Sequence, residues 1–221
     1  MKPILFNTEM VRAILEGRKT VTRRAVKFKD GKNPNWTGYI KDGLTLYNGT
    51  NEPCNMPAPY QVNDVLYVRE TFFQAVSHYL DVSGECVSVL SPIFEYLADG
   101  KHKKGHWYNE RQDYYMVKRP SIHMPKEAAR IFLRVTDVRV ERLQDMTLED
   151  FFNEGISIDE DEALREINLL DEAHSIAKVK FRQLWDSTIK KDQAKYYSWS
   201  VDPYVWVIEF EDISNQKDQL I

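Results

Sequence analysis

The apolar residues fall into a few segments whose spacing predicts the element each would form. Met10, Val11, Ile14 and Leu15 recur at the spacing of one helical face. Asn7 or Thr8 stands where an N-cap belongs, and Gly17 stands where a left-handed glycine would close the helix. A first helix should therefore end just before GRKTVTRR, Gly17 to Arg24. Further on, QVNDVLYVRET sets Val65, Tyr67 and Arg69 against Leu66 and Val68, which predicts a strand entered through a turn at Asn63 and Asp64. In RIFLRVTDVRVERL the alternation flips parity between Val135 and Val138, so a β-bulge or sharp bend is expected near Thr136 and Asp137, as where a sheet curls into a barrel. Thr147 followed by Asp150 forms a capping-box pattern, and Gly155 can end the two-turn helix between them. Ile176, Val179, Phe181, Leu184 and Trp185 predict one face of a longer helix that breaks over residues 186–195. YVWVIEFE predicts a closing strand over 204–211.

Other stretches are less regular. Residues 29–60 are rich in Gly, Pro and Asn and read as loops with one hairpin around Tyr39 to Tyr47. Residues 72–118 carry short aromatic runs between turn residues, which predicts irregular structure ending in a strand at Tyr114 to Val117. PSIHMP is bracketed by prolines and reads as a turn or extended loop. Strands in the middle and at the end, interrupted by three helices and with no internal repeat, predict an α+β domain with a small curled sheet. At 221 residues one elaborated domain over 1–221 is expected.

Charge changes the picture locally rather than globally. The net charge of −4 gives no overall attraction to polyanions, so a nucleic-acid contact must use a patch. Such a patch exists: residues 12–32 hold eight Lys or Arg against Glu16 and Asp30. Residues 141–172 hold twelve Asp or Glu against Arg142 and Arg165, which reads as a solvated acidic helix face. Cys54 and Cys86 have no metal-type or disulfide-type spacing, and no window approaches the ~18 apolar residues of a membrane span. A soluble, cytoplasmic protein without a membrane partner is expected.

The chemistry-bearing residues concentrate in the basic patch. A threonine hydroxyl is a weak nucleophile until a base takes its proton, and a lysine serves as that base only when its pKa is pulled well below ~10.4. Lys19 and Thr22, flanked by Arg18, Arg23 and Arg24, meet that description if a turn after Gly17 brings them together. Binding phosphate or solvating a turn is the other reading of the same cations. Glu154 falls in the last turn of its short helix, where the macrodipole disfavours a carboxylate, so it should either pair with a cation or have a task. His102 and His106 are separated by lysines and a glycine that argue against a metal, and His123 lacks a local partner that would make it a base. No phosphate-cradling glycine loop, nucleophile elbow or dinucleotide fingerprint is present, so no cofactor and no metal are expected.

GRKTVTRR after a first helix, VNDVLYVRE, LQDMTLEDFFNEGI after a long strand, and VWVIEFE together resemble the ASCH family; PSIHMPKEAARIFLRVTDVRVERLQDMT looks like its longer phage and prophage versions. The resemblance covers roughly half of the chain and leaves about 29–60, 75–115 and 157–175 as insertions. It implies a PUA-like β-barrel that binds RNA in a cleft. Some small members are similar in carrying a Lys, a Thr three residues on and a distant Glu with which they remove the acetyl group of N4-acetylcytidine; others are ribonucleases. Carried over, Thr22 is the nucleophile, Lys19 its base and Glu154 the group that steadies the intermediate. Arg18, Thr20, Arg23, Arg24, Arg69 and His123 complete the expected binding set for RNA or a nucleotide, with Trp36, Tyr39 and Trp199 as further stacking candidates. Arg24 adds a cation that favours a phosphate-bearing ligand over a free nucleoside. Hydrolase, non-catalytic RNA-binding module and ribonuclease all remain open at this point.

Overall fold

The structure is a computed structural model that describes residues 1–27, 39–41, 45–48, 50–54, 56–100, 106–109, 112–158 and 169–217. Trp36, His102 and most of the acidic stretch 157–172 lie outside the described residues. Helices and strands are both present, as the pattern predicts for an α+β chain, and none of the described sheets closes into a barrel. The chain divides into two compact units, one of Met1–Leu15, Val65–Leu133 and Asp212–Ile221, the other of Glu16–Asp64 and Arg134–Glu211.

In the first unit β1 (Lys2–Leu5) leads into α1 (Thr8–Leu15). The Asn7 carboxamide oxygen accepts from the Met10 N–H at 2.8 Å, and α1 buries Val11, Ala13 and Ile14. Asn7 is therefore the cap, and Leu15 turns outward. In the second unit come β2 (Val21–Ala25), β3 (Tyr39–Lys41) and β4 (Thr45–Tyr47), the last two pairing as the predicted hairpin. Returning to the first unit, β5 (Val65–Arg69) pairs parallel with β1, following a turn in which Asn63 adopts a φ of 71°.

The described residues of 72–109 correct the expectation of irregular structure, whereas the strand expected at Tyr114 to Val117 is present within a longer one over 112–119. Together they form β6 (Phe72–Leu80), β7 (Cys86–Tyr96), β8 (His106–Asn109) and β9 (Gln112–Arg119), an antiparallel sheet in the order β7-β6-β9-β8. The alternation is hidden because β7 leaves most of its residues exposed on both faces, so burial imposes no period of two. Beneath lies a core of Phe72, Met124, Ala128, Ala129, Phe132 and Ile213. PSIHMP becomes the predicted turn, a single 3-10 turn over Ser121–His123.

The second unit is built on β10 (Phe132–Arg142), whose residues from 134 onward belong to it, beside β11 (Tyr204–Asp212) and then β2. Burial along β10 switches parity as expected, from Leu133 and Val135 to Val138 and Val140. After β10 come α2 (Leu148–Asn153), α3 (Leu169–Thr188) and α4 (Ala194–Tyr197). The buried face of α3 is Ala177, Phe181 and Trp185, whereas Val179 is 54% exposed and leaves the face predicted for it. That helix also runs on to Thr188, past the predicted break at Asp186. Phe181 and Trp185 pack with Val21, Leu143, Phe151, Trp199, Val205 and Val207. Each such fully buried large side chain contributes about 1.5–3 kcal/mol.

Candidate functional site

GRKTVTRR folds as a turn and then a strand. Gly17 adopts a φ of +73°, the left-handed conformation that stops α1, and β2 begins at Val21, so Lys19 precedes the strand. On the other side of the site, Thr147 caps α2 through a complete capping box with Asp150, and Gly155 at φ 91° ends it. The Thr20 N–H then donates to the Asn153 carbonyl at 2.9 Å, and Lys19 and Glu154 form an isolated antiparallel bridge. Two helix-ending glycines and one cap thus bring together residues 135 positions apart.

Lys19 is 2% exposed and Glu154 3% exposed. The Lys19 ammonium donates to Glu154 Oε2 at 2.5 Å, to the Glu154 carbonyl at 3.0 Å and to the Val21 carbonyl at 2.7 Å. Val21 O belongs to the peptide group that joins Val21 to Thr22, so the ammonium sits against the first atoms of Thr22. Burial lowers the Lys19 pKa first, Glu154 opposes that shift, and the nearby Arg24 and Arg23 add to it. Glu154, awkward by the macrodipole, is accounted for by its cation partners, as the sequence predicted.

Arg23, 3% exposed, lies one residue beyond Thr22 and opposite Val207 of β11. Its guanidinium donates to Asp150 Oδ1 at 2.7 Å and reaches Glu154 Oε1 and Glu141 Oε2 at 3.5 Å each. Asp150 therefore both caps α2 and pairs with Arg23. Burial would raise its pKa, but hydrogen bonds from the Thr147 N–H and hydroxyl and from Arg23 outweigh that and hold it low. Asp150 and Glu141 were not singled out from the sequence as site residues; the capping box was the available signal for Asp150.

Thr22 is 2% exposed on β2, opposite Ile208. Arg24, half-buried, lies opposite Trp206. Arg18 turns outward, pairing with Glu16 and donating to the Gly155 carbonyl at 2.7 Å. Thr20 is exposed, and its backbone ties the turn to Asn153 and Phe210. Arg69 and His123 belong to the first unit, where Arg69 donates to the Ile122 carbonyl and His123 is exposed. Trp199 is a core residue, 5% exposed. Among the described residues no cluster of three His, Cys, Asp or Glu side chains could hold a metal ion, and no helix is long and apolar enough to cross a membrane.

Among the described residues two cavities share Trp206 of β11 in their lining. One, of about 600 Å³, is lined by uncharged residues including Leu46, Cys54 and Val138. The other, of about 500 Å³, is lined by Arg23, Arg24, Lys27 and several aromatic residues. No family model matches the chain, and no curated protein or solved structure matches it either.

Proposed function

We propose that the unit carrying Lys19 and Glu154 is an ASCH-type, PUA-like domain that binds an unpaired RNA base or a modified nucleotide and hydrolyses an amide on it, as on N4-acetylcytidine. Under this reading β2, β10 and β11 are strands of the curled sheet that the PUA-like barrel implies. The observation that carries it is the buried Lys19–Glu154 pair, 2.5 Å apart and seated on the peptide group that leads into Thr22. A solvated cation would need no such burial. Burial also lowers the Lys19 pKa, the change a lysine base requires.

In this mechanism Lys19 passes a proton to Glu154 Oε2, and the resulting amine takes the Thr22 hydroxyl proton as the Thr22 oxygen attacks the acyl carbon. The amide C–N bond breaks while Glu154 returns its proton to the departing base amine. Water then hydrolyses the threonine ester, releasing acetate and restoring the hydroxyl. Arg23, bridging Glu154 and Asp150, holds the carboxylate in place.

A non-catalytic RNA-binding module is the second reading, and one observation favours it: three acceptors already surround the Lys19 ammonium, closing the pair on itself. Incubation with N4-acetylcytidine, followed by chromatography, separates the two. Wild type should release cytidine, and Thr22→Val, which keeps the shape of the side chain and removes the hydroxyl, should not. If wild type leaves N4-acetylcytidine intact over hours, the hydrolytic reading falls and only binding remains.

A further inference from the structure

We propose that the cavity lined by Arg23, Arg24, Lys27, Tyr60, Trp185 and Trp206 holds the phosphate of a nucleotide against its cations and the base or sugar against its aromatic walls. The inference rests on the reading above that the ligand carries a nucleobase, and it adds that a phosphate is part of what is recognised. The cavity, at about 500 Å³, is of the size that small-molecule sites have.

Its charge is one-sided. Among the described residues three cations and no carboxylate line it. In the same unit Arg139 is enclosed by Asp137, Glu141 and Glu209, and Arg134 pairs with Glu211. Lys27 makes no ion pair among the described residues and is exposed at the cavity rim. Arg23 is itself paired with Asp150, Glu154 and Glu141, so the exposed Lys27 is the lining cation best placed to meet an arriving anion, with Arg24 in the same lining.

Arg23 carries a sign of incomplete solvation. Arg23 Nε is buried with no hydrogen-bond acceptor among the described residues, although the other end of its guanidinium is paired. A buried donor without an acceptor costs about 1–3 kcal/mol and is relieved by a ligand oxygen. Burial also lowers the Arg24 pKa, with Tyr60 and Glu154 opposing it in part. A dianionic group arriving here would restore what desolvation removed.

The aromatic walls supply the second half of the recognition. Trp185 is fixed by its indole N–H, which donates to the Tyr197 carbonyl at 2.7 Å, and Trp206 is held opposite Arg24 on the sheet. Both rings are largely buried and present only part of their surface to the cavity beside its cations, where a base packs against them while its phosphate is paired. The adjoining cavity of about 600 Å³ shares Tyr60 and Trp206 but has no charged lining residue among the described residues, so the phosphate is assigned to the Arg24 side.

The experiment is a tryptophan-fluorescence titration of the full chain with cytidine, cytidine 5′-monophosphate, the dinucleoside monophosphate CpC and inorganic phosphate, none of which has an amide to lose. A phosphate-bearing ligand should bind at least about tenfold more tightly than cytidine, with an advantage that shrinks as salt rises. Tighter binding of the monophosphate assigns the site to a terminal phosphate, and tighter binding of CpC assigns it to a phosphodiester within a strand. Lys27→Gln, at an exposed position that folding tolerates, and Arg24→Gln should each reduce the ratio towards one. Equal affinity for cytidine and both phosphate ligands, or a ratio that neither variant changes, overturns the proposal. Deacetylation without a phosphate preference sinks this inference alone, whereas a phosphate preference without deacetylation sustains it and sinks the hydrolytic reading.

Discussion

Lys19 is held where its charge is expensive, and its carboxylate partner Glu154 is equally buried. Removing one member of such a pair strands the other, so Lys19→Met should cost about 3–5 kcal/mol in urea denaturation. The double variant Lys19→Met with Glu154→Leu should cost clearly less, because no buried charge is left facing Lys19's place. A double variant as unstable as the sum of the singles would mean that the two do not act as a pair. The pH dependence follows from the direction of the shift. The folded Lys19 pKa lies below its ordinary 10.5, so between the two values the unfolded chain binds more protons and stability rises with pH. That contribution is complete above the unfolded value and is lost as pH falls through the folded one. If Lys19 is the base for Thr22, kcat/KM for N4-acetylcytidine rises with pH through the same lowered pKa, and a flat profile across neutral to alkaline pH speaks against it.

At the scale of elements, α2 is six residues long and depends on its ends. Thr147→Ala removes the hydroxyl and should cost about 0.5–2 kcal/mol, measured by thermal or urea unfolding. It also frees Asp150, so the acid limb should change: the folded Asp150 pKa is depressed, and its contribution is present above the unfolded value near ~3.9 and lost as pH falls through the folded one. In Asp150→Asn that loss on acidification should shrink. These ends were legible in the sequence, as were Gly17, the Thr147 and Asp150 box, and the misplaced carboxylate of Glu154, because capping is set by residues three or four apart. The pairing of Arg23 with Asp150, separated by 127 positions, was not, since only the packed sheet decides which distant carboxylate a guanidinium meets. The sheet over residues 72–119, apart from the strand expected at Tyr114 to Val117, was missed for the converse reason: a strand exposed on both faces carries no burial signal. Val179, apolar and exposed, misled the helical face in the same way.

At the scale of the whole molecule, the chain carries −4 overall, while the cations that line the 500 Å³ cavity are local. Long-range attraction to a polyanion scales with the surrounding field, and here that field is unfavourable beyond a Debye length of about 8–10 Å. Neutralising one or two phosphates of single-stranded RNA gives a salt slope of about −0.7 for each, whereas an extended cationic track would give a slope that steepens with length. A series from CpC to a twenty-nucleotide RNA should therefore gain less than about tenfold in affinity once the probe fills the cavity, with the log–log salt slope staying near −1. Filter binding or fluorescence anisotropy across a range of salt reads both quantities at once. A slope that grows in step with RNA length would place the binding energy on a surface outside this cavity. It would also make Arg24→Gln and Lys27→Gln minor losses rather than the dominant ones expected.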